Sequence, residues 1–496
     1  VVSEAFIMQS AHHLLNSIEA TLYKNPCSPN PIHNVLFLAN MNKRIILIQA
    51  LVLAVFWILY LSLEHQTFYE KTLGQYSDNW QNVNGERSLG NVPYVQPENN
   101  RMVQWDARHY ELIKDHGYDT EKAGGDFIYA FFPLFPLIWK ASLLPPMGVL
   151  FLNYLFFSIS IFLLLTLFSS EKNVTRDALL SSALPGLIIF LIPYTEATYM
   201  LMVSIGIWGF VKKKYWIYFV GLFLAALARP SFTFLLLSLI GVEFMLLLQH
   251  KNVRTFAKHA FLRVIPLICG TALVSVIQFV QGSKTVFKFV QVQKYWDNVF
   301  GIPHNIKDWS HEGFGINLGI VIVLFIPLLM LLLQFLLTQL KKSQASEKMD
   351  EQKSIRQYLV WLSILYIVGN TLFVILFRGG SLNCLFRFTI CSPFIFILIY
   401  LGFDYIKHIG VSIRRFFLLT LSALAMLMLG LIDYSTFWNF SDMGMILLLA
   451  CVALWLFQDQ SHSRPYKISF YTTLFFNLLW TTYLFNMYLV DGWIFA

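Results

Sequence analysis

The segment WDARHYELIKDHGYD (Trp105–Asp119) gathers carboxylates, bases and two histidines in a chain that is otherwise largely apolar. Asp106 opens it, and a second acid, Glu196, lies in the short turn PYTEA (193–197) between two greasy runs. A carboxylate within hydrogen-bond reach of a hydroxyl can take its proton as that hydroxyl attacks an anomeric carbon. Arg229, Arg378 and Arg387 are candidates for a phosphate, whose oxygens the guanidinium fork matches. Each arginine alone also reads as a side chain snorkelling to lipid headgroups. Glu196 alone also suits the start of the helix after it, where a negative charge meets the helix dipole.

A helix from about Asp106 to His116 is expected, stopped by Gly117 in a left-handed conformation. Asp106 suits its N-cap. His109, Leu112, Ile113 and His116 would share one face, giving an interfacial amphipathic helix with Trp105 anchored at headgroup level.

What must position this segment is a membrane bundle. The 496 residues are 57% hydrophobic and only 13% charged, against roughly a quarter charged in soluble domains. The apolar runs, at about 45–63, 147–168, 178–192, 195–211, 215–229, 231–249, 262–281, 315–338, 357–377, 385–403, 413–432, 442–457 and 467–488, predict an all-α polytopic membrane protein of about 11–14 spans with an acidic first outer loop. Lys43/Arg44, Lys172/Arg176, Lys212–Lys214, the 251–263 and 341–356 clusters, Lys407/Arg414/Arg415 and Arg464/Lys467 alternate onto one side. By the positive-inside rule that side is cytoplasmic. The net charge of +8 is therefore a topology signal, and no nucleic-acid partner is expected. Parity makes 127–146 (FIYAFFPLFPLIWKASLLPP) an outer-face re-entrant or interfacial helix. Residues 1–40 read as an extension ahead of Met41-Asn-Lys-Arg, and 41–496 as one integral-membrane domain.

The outer face then collects loops 64–146 and 282–314, the Glu196 turn, Arg229, Arg378 and Arg387. Ionisable groups at a bilayer boundary are expensive and mark function. In the second loop, His304, Asp308, His311 and Glu312 lack the HExxH order of a helical zinc site; sugar contact by Trp296, Trp309 and these polar groups fits better, a metal ion in this loop is the alternative, and no metal is expected to be obligatory. The five cysteines give neither a disulfide framework nor metal-ligand spacing.

WD-xxx-Y (Trp105, Asp106, Tyr110) followed by HGY and AFFPLFPL, then PYTEA, ALARPS (226–231), KYWDNVFGIPH (294–304) and LFRFTICSP (385–393), resembles the PIG-V family of mannosyltransferases in consistent order over about residues 100–400. The family's Trp-Asp falls on Trp105 and Asp106, and its Tyr-Thr-Glu on Tyr194 and Glu196. The resemblance implies a GT-C glycosyltransferase that moves a sugar from a polyprenyl-phosphate donor to a lipid or glycan acceptor with inversion, without a cofactor. It also implies a bacterial inner membrane with a periplasmic active face, or the endoplasmic reticulum membrane in a eukaryote. Asp106 and Glu196 are then the catalytic pair. Trp105, Tyr110, Tyr194, Arg229, Trp296, His304, Arg378 and Arg387 are the substrate-binding set. Pro230-Ser231 departs from the eukaryotic pattern, which leaves the acceptor open. A lipid-linked sugar flippase is the rival reading and calls for broken helices. An O-antigen ligase or polymerase is another, and would centre its chemistry on a late outer loop.

Overall fold

The computed structural model describes residues 31–63, 80–81, 87–88, 94–182, 184–230, 232–293, 300–301, 316–341, 351–377, 382, 384–432, 440–492 and 494. Apart from a two-residue antiparallel pairing of 80–81 with 87–88, these are helices and their connections. In chain order the main helices are α1 (Pro31–Ser62), α2 (Asp106–His116), α3 (Leu134–Ser142), α4 (Pro146–Phe168), α5 (Glu171–Ser182), α6 (Glu196–Val211), α7 (Tyr215–Ala228), α8 (Phe232–His250) and α9 (Val253–Val280). A π-helical stretch, Ile320–Phe325, leads into α10 (Ile326–Lys341). Then come α11 (Glu351–Phe377), α12 (Leu385–Thr389), α13 (Pro393–Leu401), α14 (Val411–Ile432), α15 (Phe440–Leu456) and α16 (Arg464–Leu489).

Seven helices are long and apolar enough to cross a membrane, and four shorter apolar ones accompany them. The protein is an all-α membrane protein. α1 starts at Pro31, so the helix runs unbroken through the expected boundary at Met41. Two of the thirteen expected runs differ in being cut, and a third differs in polarity. The run 467–488 lies in the 26-residue α16, which buries Asn477, Thr481, Thr482 and Asn486 and is more polar than the seven. The run 178–192 is not one helix: α5 ends at Ser182, and after Pro185 and Gly186 (φ +96°) a short 3-10 turn, Leu187–Phe190, follows. Proline lacks the N–H and glycine supplies the left-handed turn, so the apolar run is cut in two. The run 385–403 is cut likewise, between α12 and Pro393 of α13.

The segment 127–146 holds only a 3-10 turn, Asp126–Ala130, and the nine-residue α3. At about 13.5 Å, α3 is less than half the hydrocarbon thickness. It lies against α2, with Lys114 over the Trp139 ring.

α6 and α7 form a tight hairpin. A Cβ on Gly221 would meet the Gly206 backbone nitrogen at 2.5 Å, so the helices touch backbone to backbone, as small residues allow in membranes. α9 packs on α7 despite Pro266 inside it. Pro266 cannot donate to the carbonyl of Leu262, and the Tyr215 hydroxyl donates instead at 3.0 Å.

Replacing Tyr215 with Phe is expected to lower stability by about 0.5–1.5 kcal/mol. In a Pro266→Ala background the loss should shrink, because the substitution restores a backbone N–H that takes over the Leu262 carbonyl. A double-mutant cycle by thermal unfolding in detergent reads this coupling.

Candidate functional site

α2 has the expected bounds, but its N-terminus differs from expectation. Asp106 is the first helical residue, and Trp105 stands at the cap position without a side-chain cap. Trp105 has φ 51°, ψ −124°, a conformation a non-glycine residue adopts only when its surroundings enforce it. Its indole N–H donates to the Gly492 carbonyl at 3.3 Å, and its ring packs on the main core. Trp105 is thus a clamp within the protein and not a headgroup anchor. The buried face of α2 is Ala107, Tyr110 and Ile113, rotated from the expected His109, Leu112, Ile113 and His116.

Freed from capping, the Asp106 carboxylate meets Arg387, with Oδ2 and Nη1 2.6 Å apart. The backbone N–H of Asp106 donates to the Tyr194 hydroxyl at 3.3 Å. Tyr194 belongs to the non-helical stretch before α6, which Asn153 of α4 holds by donating to the Ile192 and Tyr194 carbonyls at 2.5 and 3.0 Å. The stretch ends at Thr195, whose hydroxyl donates to the Ala228 carbonyl at the end of α7, 2.9 Å away. That bond sets Glu196, first residue of α6, beside Arg229.

Glu196 is wholly buried and lies between two guanidiniums, pairing with Arg229 Nη1 at 3.0 Å and with Arg387 Nε. Burial and pairing decide against snorkelling for Arg229 and Arg387. Arg229 also lies over the Phe388 ring (5.4 Å to its centroid), and Arg387 over the Tyr194 ring (4.7 Å). Glu196 meets both arginines directly. Arg387 reaches the site because the broken span sets it on the short α12, where Asn317 Oδ1 accepts from the Phe386 N–H at 2.9 Å. The two breaks meet, since a Cβ on Gly186 would lie 3.1 Å from the Phe386 ring.

The exposed edge of this cluster is Asp106, 28% accessible in its side chain against 0% for Glu196. Tyr110, a turn along, is buried edge-on to Phe131 and Phe135. Burial, with Glu196 and Asp106 adding, holds its phenol well above the usual range. The structure therefore brings Trp105, Asp106, Tyr110, Tyr194, Glu196, Arg229 and Arg387 into one region. Trp296, His304 and Arg378 lie outside the described residues. Among the described residues no three His, Cys, Asp or Glu side chains approach closely enough to hold a metal ion.

Some contributors carried weak signals or none. Asn153 and Asn317 are marked in the sequence only as polar residues near or within apolar runs. Gln104, Tyr488 and Asp491 carried none, although the Tyr488 hydroxyl donates to the Met102 carbonyl at 2.8 Å and Asp491 pairs with Arg108 at 3.0 Å. His109 is wedged between Phe127 and Phe131 (centroids 5.1 and 4.5 Å), and its Nδ1 makes no hydrogen bond among the described residues.

No protein-family model matches the chain, and neither a curated protein nor a solved structure is significantly similar to it. The resemblance to the PIG-V family rests on the sequence motifs alone.

Glu196→Gln leaves two buried guanidiniums without their shared carboxylate and is expected to cost about 3–5 kcal/mol. Asp106→Asn, at the accessible edge, should shift the unfolding midpoint in the same detergent far less. A second expectation concerns pH. Burial lowers the His109 pKa, more than the Asp106 carboxylate raises it, and Arg108 adds to the lowering. The unfolded chain then binds the extra proton first, so stability falls as pH drops below about 6.5 and levels off below the folded pKa. His109→Phe should flatten that part of a melting-temperature profile between pH 7 and 5.

Proposed function

We propose that the chain is an integral-membrane glycosyltransferase of the GT-C kind, moving a sugar, mannose by resemblance, from a polyprenyl-phosphate donor to a hydroxyl on a lipid or glycan acceptor. The observation that carries this reading is the bridge made by Arg387, one guanidinium shared by the accessible Asp106 and the buried Glu196. A phosphate competes with Asp106 for that guanidinium, since both are oxyanions of matching geometry. Donor binding therefore releases Asp106 from its ion pair where a base is needed. The acceptor hydroxyl gives its proton to Asp106 while its oxygen bonds to the anomeric carbon from the face opposite the phosphate. The carbon–oxygen bond to phosphate breaks, and the departing dianion is met by Arg387 and Arg229. Glu196 keeps both arginines aimed and does not touch the acceptor. Tyr110 and Tyr194, both neutral phenols, line the region and offer hydroxyls to the sugar.

The loop charges support an outward active face, which is periplasmic for a bacterial inner membrane and lumenal for the endoplasmic reticulum. A second reading, a lipid-linked sugar transporter, has a specific observation behind it: two spans are interrupted beside a buried ion cluster, as in many transporters. The accessible carboxylate at the edge of the cluster favours catalysis, because it stands where an acceptor hydroxyl can reach it while its arginine partner can take a phosphate.

Transfer from labelled polyprenyl-phosphate mannose to membrane acceptors is expected for the wild type. It should fall by about 10²–10⁴-fold in Asp106→Asn, the usual contribution of a general base. Equal transfer by both would remove Asp106 from the mechanism. Absence of transfer by both, with sugar-lipid translocation in reconstituted vesicles, would establish the transport reading.

A further inference from the structure

Buried tyrosines in this protein tie their hydroxyls to the backbone. Those of Tyr60, Tyr118, Tyr154, Tyr218 and Tyr488 each donate to a carbonyl at 2.7–2.8 Å. Tyr110 does not. It is only 4% exposed, yet its hydroxyl has no hydrogen-bond partner among the described residues. The ring is held in place, because Phe131 and Phe135 both meet it edge-on, with centroids 5.3 and 5.2 Å away and planes at 89° and 87°. A phenylalanine would fill the same slot, and a buried hydroxyl left without a bond costs stability. The hydroxyl is therefore accounted for by a group outside the chain.

Its place in the fold says which group. Tyr110 lies four residues after Asp106 and so shares its face of α2, with the two Cβ atoms about 5–6 Å apart. Glu196, Asp106, Arg387 and Arg229 all act on its phenol, so the ring stands in the field of the ion cluster. The other phenol there, Tyr194, already accepts the Asp106 N–H at 3.3 Å. In the reaction set out above, the acceptor hydroxyl lies between Asp106 and the anomeric carbon. A hydroxyl one helical turn from Asp106 then meets the sugar itself, which spans about that distance.

We propose that Tyr110 selects the donor sugar: its hydroxyl bonds to one ring hydroxyl of the transferred hexose, so that a sugar carrying this hydroxyl is preferred to one that lacks it. The inference rests on the glycosyltransferase reading and carries it from the reaction to the choice of sugar. Tyr110 acts as a specificity determinant and not as a base, because burial keeps its phenol neutral.

The test is a cycle between one hydroxyl on the enzyme and one on the substrate. For wild type and Tyr110→Phe, kcat/KM is measured with the polyprenyl-phosphate sugar that wild type transfers and with its monodeoxy analogues in turn. With wild type, one analogue is expected to react about tenfold less well than the full sugar, the worth of a neutral hydrogen bond. Tyr110→Phe should lose about as much with the full sugar and nothing further with that analogue. Its unfolding midpoint should be no lower than that of wild type, since no bond within the protein is removed. Additive losses with every analogue would overturn the proposal. So would a lowered midpoint, which would reveal a partner for the hydroxyl inside the protein. Where the variant transfers too slowly to time, the same cycle is read in donor Kd by native mass spectrometry, with the same deciding outcomes. A wild type that transfers no polyprenyl-phosphate sugar removes the glycosyltransferase reading and this inference with it, whereas transfer without coupling removes this inference alone.

Discussion

A fully buried carboxylate in an apolar bundle is the constraint on which the remainder depends. Glu196 has no access to solvent, and leaving it unpaired would cost several kcal/mol. It therefore needs cations, and the chain supplies one from the end of α7 and one from α12. Each cation brings a structural demand. Arg229 must end its helix level with the start of α6, which the Thr195–Ala228 hydrogen bond and the close glycine packing secure. Arg387 must reach inward from a span that would otherwise run straight past, which a break in that span permits. Asp106 completes the cluster by pairing with Nη1 of Arg387, whose Nε meets Glu196.

The breaks have costs of their own. In a membrane an exposed backbone polar group has no water to turn to. Asn153 donates to two carbonyls of one interrupted span, and Asn317 accepts an N–H of the other. The packing of Gly186 on Phe386 lets the two irregular stretches cover each other. Polar residues that look misplaced in an apolar sequence are thus the ones that make irregular backbone tolerable.

Composition and the period of the apolar runs are enough to read an all-helical membrane protein, and α2 is bounded to the residue because an acid begins it and a glycine ends it. The acids and arginines of the cluster are legible by type, since charges beside greasy runs stand out. Their pairing is not, because sequence gives no distance between Asp106 and Arg387. The cut in 178–192 escapes a reading by overall hydrophobicity, although Ser181-Ser182 and Pro185-Gly186 mark it. The orientation of α2 differs from expectation for a related reason: it is buried on protein and not on lipid, so the more polar-looking Tyr110 faces inward. Trp105 looks like an interfacial anchor because its partner, Gly492, lies 387 residues away.

That separation bears on how the molecule comes into being. Tyr60 and the Val95 N–H both meet Asn486, Gln104 meets Tyr488, Arg108 meets Asp491, and Trp105 meets Gly492. The segment carrying Asp106 leaves the ribosome early, but the residues that hold its strained entrance belong to α16 and the few positions beyond it. Synthesis of every other helix described precedes that docking. Until α16 is made, the nascent chain carries Asp106 without these contacts. The entrance to α2 is thus fixed by the last helix described, which ties distant parts of the chain together beside Asp106.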